Sequence, residues 1–346
     1  MFLYIILFLS FVLNFYVLFR LTGLLSLKRG WIFLLVALVC SISFIGALFL
    51  RHWSDNIITR IIFSIVTYWY GILWLLFSTL IIYEIVKLFV KVKPYYAGMG
   101  IILLVAAITI YSMINTQLIR IKKVSIPGPA NISIAQISDV HIGSVSGWFF
   151  KRVVNKINDA SPDLVLITGD LVDNANGNTH KALEALKTLK APVLFVTGNH
   201  EGYAGVGKVA EMLTTLNVKV LRNAAADFNE IQIIGIDDGI DIEEVQSIVS
   251  RLRDENKFCI LMYHRPPNDL NALSQTGVNL TLCGHTHKGQ IFPFYFVVKH
   301  FFKHIYGLYE YPGGSLYVTS GTGTWGPRMR FGSISEIVLV QIRKNY

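Results

Sequence analysis

Four stretches of this chain carry no formally charged residue: Phe2–Phe19, Trp31–Leu50, Ile61–Tyr83 and Tyr95–Leu118. A helix needs about 20 apolar residues to cross the ~30 Å hydrocarbon layer of a bilayer, and each stretch is of that length. Charges collect between them, as Arg20, Lys28 and Arg29, then Arg51, Asp55 and Arg60, then Glu84, Lys87, Lys91 and Lys93. The pattern predicts four transmembrane helices joined by short loops, occupying residues 1–118. The first stretch lacks the basic start and small-residue cleavage site of a signal peptide, and three more spans follow it. A single soluble domain is thereby excluded.

Four spans put the N-terminus, the 51–60 loop and everything after residue 118 on one side of the membrane. That side has five basic residues in its short segments and the other has six, so the positive-inside rule gives no orientation. Three cysteines without a disulfide pattern suit a reducing compartment. The expectation is a multi-pass protein of the inner or plasma membrane with its second domain in the cytoplasm. In the third span Tyr68, Trp69, Tyr70 and Trp74 cluster at mid-depth, which suits helix packing with hydrogen-bonded polar tips better than a lipid groove.

Net charge is +9, but residues 1–119 hold eight Lys and Arg against two acidic residues. The remaining 23 basic and 20 acidic residues leave the second half at +3. No basic stripe is present there for a phosphate backbone to follow, so no nucleic-acid partner is expected and a nuclease is disfavoured.

From Ile119 onward, short Ile- and Val-rich runs alternate with polar segments of helix length. Strands are predicted at Ile132–Ile137, Leu164–Thr168, Val193–Thr197, Ile231–Ile236, Phe258–Tyr263, Leu280–Cys283, Leu316–Ser320 and Ile337–Ile342. Helices are predicted near Trp148–Ala160, Lys181–Lys190, Val206–Leu216, Ile242–Asp254 and Asp269–Ser274. This alternation defines an α/β domain of one or two sheets over residues 119–346. Pro127-Gly128-Pro129 reads as a turn, so the domain is expected close to the bilayer.

Five of the strands end in side chains able to bind metal. Asp139-Val140-His141 follows the first, Gly169-Asp170-Leu171-Val172-Asp173 the second and Gly198-Asn199-His200-Glu201 the third. His264 closes the Phe258–Tyr263 strand, and Gly284-His285-Thr286-His287 closes Leu280–Cys283. Ligands of open α/β sheets collect at the carboxyl ends of strands, so these loops converge on one crevice. Two divalent cations about 3.5–4 Å apart can share a carboxylate, and imidazole with carboxylate donors suits Mn, Fe or Zn. A lone histidine at a strand end is usually structural; seven such residues at five strand ends are not.

These blocks resemble the calcineurin-like metallophosphoesterases, whose order is Asp-x-His, Gly-Asp-x-x-Asp, Gly-Asn-His-Glu, a lone His and Gly-His-x-His. The match runs from about residue 130 to 343. Ser138-Asp139-Val140-His141, Gly284-His285-Thr286-His287-Lys288-Gly289-Gln290 and Gly321-Thr322-Gly323-Thr324 are most similar to the membrane-anchored, YkuE-type branch. Lys288 stands where that branch usually has Gly, Glu201 where Asp is common, and Ser335 where Pro is usual; none of these removes a ligand. The resemblance implies an α/β sandwich of two packed mixed sheets flanked by helices, behind the four-helix region. It implies that Asp139, His141 and His287 hold one metal, that Asn199, His264 and His285 hold a second, and that Asp170 bridges them. Manganese is the expected metal, with iron or zinc as alternatives. His200 would face the substrate and donate a proton or hydrogen bond to the leaving oxygen. Asp173 and Glu201 take supporting roles, and His180, His300 and His304 lie on the surface. A non-catalytic receptor or scaffold would be marked by lost ligands, and all seven are in place.

After the last block, Ile291–Tyr311 holds nine Phe and Tyr residues with Lys299, Lys303 and His304 between them. An ordinary hairpin or core insertion is one reading. An interfacial segment, aromatic at headgroup depth and basic toward lipid phosphates, is the other. Arg330 and Lys288 are expected to contact substrate, since a guanidinium can grip a phosphate through two hydrogen bonds. The expected reaction is hydrolysis of a phosphodiester or pyrophosphate in a lipid-linked substrate, with the bilayer as partner. The UDP-diacylglucosamine pyrophosphatases of lipid A synthesis resemble this arrangement and supply the leading candidate. A phosphatase or phosphodiesterase acting on soluble metabolites is the alternative.

Overall fold

The computed structural model describes residues 2–344. Four long helices come first, α1 (Phe2–Leu24), α2 (Trp31–Trp53), α3 (Ile57–Val86) and α4 (Pro94–Gln117). All four are long and apolar enough to cross a membrane. The first three outrun the uncharged stretches because charges near a helix end can pair or reach outward. Glu84 near the end of α3 accepts from Arg20 Nε of α1 at 2.8 Å and also pairs with Lys87. The start of α3 is fixed by Asn56, whose side chain accepts from the N–H groups of Ile58 and Thr59 at 2.9 and 3.1 Å. Aromatics of α3 tie the helices through their polar tips. Trp69 donates to Asn14 of α1 at 2.9 Å, and the Tyr70 hydroxyl lies 2.7 Å from Ser10 and 3.0 Å from the Cys40 carbonyl. The chain divides into two compact units, Met1–Ile114 with Gly326–Met329, and Asn115–Trp325 with Arg330–Tyr346.

The second unit contains strands β1 (Ile119–Gly128), β2 (Ile132–Ile137), β3 (Leu164–Thr168), β4 (Val193–Val196), β5 (Val218–Val220) and β6 (Ala224–Phe228). These are followed by β7 (Ile231–Gly235), β8 (Phe258–Met262), β9 (Leu280–Cys283), β10 (Gly307–Tyr311), β11 (Gly314–Val318) and β12 (Ser335–Lys344). Between them lie α5 (Gly147–Ala160), α6 (Gly177–Leu183), α7 (Asn199–Ala204), α8 (Val206–Thr214), α9 (Ile242–Leu252), α10 (Leu270–Gln275) and α11 (Tyr295–Phe301). One six-stranded sheet has the order β1-β12-β2-β3-β4-β5 and the other β10-β11-β9-β8-β7-β6. Both are mixed. The run β2-β3-β4-β5 is parallel with helical crossovers, while β12 pairs antiparallel with β2. The run β7-β8-β9-β11 is parallel, closed by antiparallel β6 and β10.

Alternate residues of each strand serve different cores. Ile134, Leu164, Leu166 and Val196 of one sheet meet Ile233, Ile260, Met262 and Leu282 of the other in the space between them. Their neighbours Ala135, Val165, Ile167 and Phe195 face outward onto Phe150, Val153 and Ile157 of α5. Leu261 and Val318 of the second sheet pack similarly on Val245 and Val249 of α9. Strands buried on both faces read as unbroken apolar runs, which is why they stand out in the sequence.

The edges differ from expectation. β1 was not anticipated, because Lys122 and Lys123 break its apolar pattern; it is an edge strand running parallel to β12, and Pro127 lies within it. The predicted helix at Lys181–Lys190 is instead α6 followed by a 3₁₀ turn over Glu184–Thr188. The aromatic stretch divides into α11 and β10.

Candidate metal centre

All five metal-capable loops lie at the carboxyl ends of parallel strands, β2, β3 and β4 in one sheet and β8 and β9 in the other. Their backbone is unusual there. Asp139, His141, Asp170, His285 and His287 have φ of 54°, 56°, 51°, 72° and 49°. Left-handed conformations in such residues cost about 1–3 kcal/mol each and gather at functional sites. Crowding reinforces the point. A Cβ on Gly198 would come within 2.3 Å of Asp170 Oδ1, and one on Gly284 within 2.3 Å of Asp139 Oδ2.

Three groups of potential ligand atoms result among the described residues, each spanning no more than 4.8 Å: Asp139 with His141 and His287, Asp170 with His264 and His285, and His141 with Asp173 and His200. In the first, His141 Nε2 lies 3.1 Å from His287 Nε2, and Asp139 Oδ1 is 3.5 Å from the latter. In the second, His264 Nε2 lies 3.2 Å from both Asp170 Oδ2 and His285 Nδ1. Asp170 Oδ2 is also 3.8 Å from His141 Nε2, so this carboxylate reaches both clusters.

The hydrogen-bonding partners orient these donors. His141 Nδ1 is 2.9 Å from Asp173 Oδ1, and His264 Nδ1 is 2.8 Å from the Thr168 carbonyl. An N–H donated on that side leaves the opposite nitrogen's lone pair aimed into the cluster, as in ligating histidines. Asn199 Oδ1 and His287 Nδ1 are buried without a hydrogen-bond partner. Facing imidazole lone pairs, buried carboxylates and an unpartnered amide oxygen form a donor set that lacks only an electropositive centre. The residues fit divalent cations.

Proton affinities reflect the same crowding. Burial lowers the affinity of His264, but Asp170 outweighs it and raises this imidazole to about 10, so the Nε2 lone pair becomes available only as a cation displaces the proton there. His285, buried and facing His264, is pushed down to about 3. Asp170 lies well below the usual carboxylate range, because His264 and His141 overcome its burial.

Two carboxylates support the loops. Asp173 accepts from Ser144 N at 2.8 Å and lies 3.1 Å from His200 Nδ1, so it holds His141 and His200 together. Its own lone pairs are thereby occupied, and the His141–Asp173–His200 group is a hydrogen-bonded triad. Glu201 accepts four backbone N–H groups, from Asp170, Leu171, Val172 and Gly198, at 2.9, 2.8, 3.0 and 2.7 Å. One carboxylate thus staples the β3 loop to the β4 loop. Burial and the Asp170 charge push it up to about 7, against the N–H groups that favour its ionised form. Glu201→Gln would turn an acceptor toward these donors into an N–H₂ group. The expected cost is about 2–3 kcal/mol, read as a lower thermal midpoint of the detergent-purified protein; an unchanged midpoint would contradict this role.

Arg330 corrects the sequence reading. It is fully buried, and its Nη2 donates to the carbonyls of Ser320, Gly321 and Gly323 at 2.7, 3.2 and 2.6 Å, while Nη1 donates to Ser333. This guanidinium shapes the Gly-rich loop, and although its Nε is left without a partner, its complete burial keeps it from gripping a phosphate from solvent. Lys288 has φ 53°, which explains why glycine suits this position, and its ammonium lies 4.3 Å from the Tyr306 ring centroid. Of the histidines expected on the surface, only His300 is exposed; His180 and His304 are half-buried, the latter bonded to the Pro267 carbonyl at 3.0 Å.

Some neighbours were missed. Asp237-Asp238 follow β7, a sixth strand end, and Asp238 pairs with Arg265 at 2.9 Å beside His264. An Asp pair directly after a predicted strand was the available signal. The rings of Tyr203 and Trp325 against His200, and of Phe302 against His285, had no spacing signature.

The chain matches the calcineurin-like phosphoesterase family over residues 132–289. It is 30% identical over 322 residues to a metallophosphoesterase of Campylobacter jejuni, covering 86% of each chain. Metallophosphoesterase YkuE of Bacillus subtilis is 33% identical over 251 residues, 67% of this chain and 86% of YkuE. A Danio rerio transmembrane protein with metallophosphoesterase domain is 31% identical over 276 residues, 70% of this chain and 62% of its own length. The chain belongs to the calcineurin-like metallophosphoesterases. It is a metal-dependent phosphohydrolase, and its four apolar helices together with the transmembrane relative mark it as a membrane protein.

Proposed function

We propose that the protein hydrolyses a phosphodiester or pyrophosphate bond in a lipid-linked substrate, with UDP-diacylglucosamine as the leading candidate. The observation that carries this reading is the segment following His287. Phe296 and Phe301 are 62% and 65% exposed on and beside α11, next to exposed Lys299, and no residue of that helix is buried. Removing one such ring from water is worth about 1.5–3 kcal/mol, which favours an acyl chain or bilayer surface as its partner. The same segment reaches the site, since the Phe302 ring centroid is 5.1 Å from that of His285.

Asp139, His141 and His287 would hold one cation, and Asn199, His264 and His285 the other, with Asp170 between them. Bound there, two divalent cations, manganese foremost, supply an activated water and neutralise phosphoryl oxygens. His200 does the remaining proton chemistry. Its Nδ1 is committed to Asp173, which leaves Nε2 to donate to the leaving oxygen. Burial opposes protonation, but Asp173, Asp170 and Glu201 raise its affinity above the ordinary histidine value and keep that proton available. Lys288, adjoining His287, is assigned to the lipid-side phosphate. Four membrane spans with the catalytic domain in the cytoplasm complete the reading.

The test compares UDP-diacylglucosamine in mixed micelles with water-soluble bis-p-nitrophenyl phosphate. The double variant Phe296→Asp, Phe301→Asp is expected to lose about tenfold or more on the lipid, the worth of one well-buried apolar group, while keeping activity on the soluble diester. Equal losses on both substrates, or hydrolysis of soluble diesters alone by the unaltered protein, would sink the lipid assignment.

A further inference from the structure

His200 is flanked by two aromatic rings from different parts of the chain. Tyr203, three residues further along α7, has its ring centroid 5.4 Å from that of His200 at an interplanar angle of 70°. Trp325, from the loop after β11, lies 5.7 Å away at 69°. Both are open to solvent, at 77% and 41% exposure, so neither serves the core. The backbone that carries Trp325 is nonetheless fixed. Gln290 clamps Trp325 by its backbone, donating from Nε2 to its carbonyl at 3.1 Å and accepting from its N–H at 3.2 Å. The loop leading to Trp325 is bonded onto the Asp139 segment, with Thr322 N donating to Ser138 O at 2.8 Å and Gly323 N to Asp139 O at 3.0 Å. A Cβ at Gly323 would come within 2.0 Å of the Val140 carbonyl, so this loop cannot take any other residue there without moving.

We infer that Tyr203 and Trp325 form a stacking subsite for a planar ring on the leaving-group side of the substrate, such as a nucleobase. The inference rests on the proposed role of His200 as donor to the leaving oxygen: rings that flank the donor flank whatever departs. The held backbone at Trp325 reduces the ordering that stacking requires, and stacking is indifferent to which base is bound, because every base has a π-face. Planarity, rather than a hydrogen-bonding pattern, is therefore what this subsite selects.

The probes are uridine 5′-monophosphate and ribose 5-phosphate, which share a phosphate and sugar and differ by the base. Dissociation constants are measured calorimetrically on the full-length, manganese-loaded protein in detergent. The nucleotide is expected to bind at least about fivefold more tightly, since stacking is worth about 1–3 kcal/mol per base. Trp325→Ala and Tyr203→Ala should each reduce that ratio to threefold or less, and Trp325→Phe should preserve it. Equal binding of the two probes, or a ratio unmoved in both alanine variants, overturns the inference. Both side chains are exposed, so their truncation opens no core, and circular dichroism confirms folding. Hydrolysis of bis-p-nitrophenyl phosphate is followed in parallel. Its absence would count against the proposed function, whereas a missing base preference with hydrolysis intact counts against the subsite alone.

Discussion

Asp170→Ala is expected to leave hydrolysis of bis-p-nitrophenyl phosphate reduced by more than about 10³-fold, the upper end of what loss of one charge-stabilising group costs. The expectation follows from how many tasks this carboxylate performs. Its Oδ2 lies 3.2 Å from His264 and 3.8 Å from His141, one nitrogen in each cluster, and its Oδ1 accepts the His200 N–H at 2.8 Å. Alanine removes the charge shared by both clusters and releases the first turn of α7 together with His200. Elemental analysis of the purified variant should show metal falling together with rate. Retention of activity within tenfold of the unaltered protein would mean that the reaction occurs elsewhere.

The second large effect separates chemistry from metal binding. His200→Ala should lower kcat by about 10²–10⁴-fold, the range of general acid assistance, with metal content unchanged. The side chain is 3.1 Å from Asp173, whose remaining lone pairs are satisfied by Ser144 and His141; it shares a group of potential ligand atoms with Asp173 and His141 but none with Asp170 or Asp139. A leaving group that needs little protonation, such as p-nitrophenolate, should show the smaller loss, and a poorer alkoxide leaving group the larger. Loss of metal from this variant would instead make His200 a ligand.

Much of this site was legible because of where its residues fall. Asp139, Asp170, Asn199, His264 and His285 each come within three residues of the end of a short, largely apolar run, and strands buried on both faces declare themselves in that way. Asp173 and Glu201 were recognisable as supports by their places in the same blocks. What stayed hidden depended on long-range partners. Arg330 is 0% exposed because three carbonyls of the Gly-rich loop turn toward it, a fact with no local signature. The edge strand β1 was masked by its own lysines, which point to solvent on an edge but look like a loop in sequence. Tyr203 and Trp325 lie 122 positions apart and meet at His200 only through the packing of two loops.

The ladder joining β2, β3 and β4, with Ala135 opposite Val165 and Val165 opposite Val193, sets more than a core. A strand advances about 3.3 Å per residue, nearly the ~3.5–4 Å that separates the ions of a dimetal pair. A slip of one residue in β3 would carry Asp170 across almost the whole distance it must bridge, and would turn its side chain to the other face. Strand register is thus the ruler of the catalytic spacing. A one-residue deletion inside β3 is a lesion of the chemistry even where the sandwich survives it.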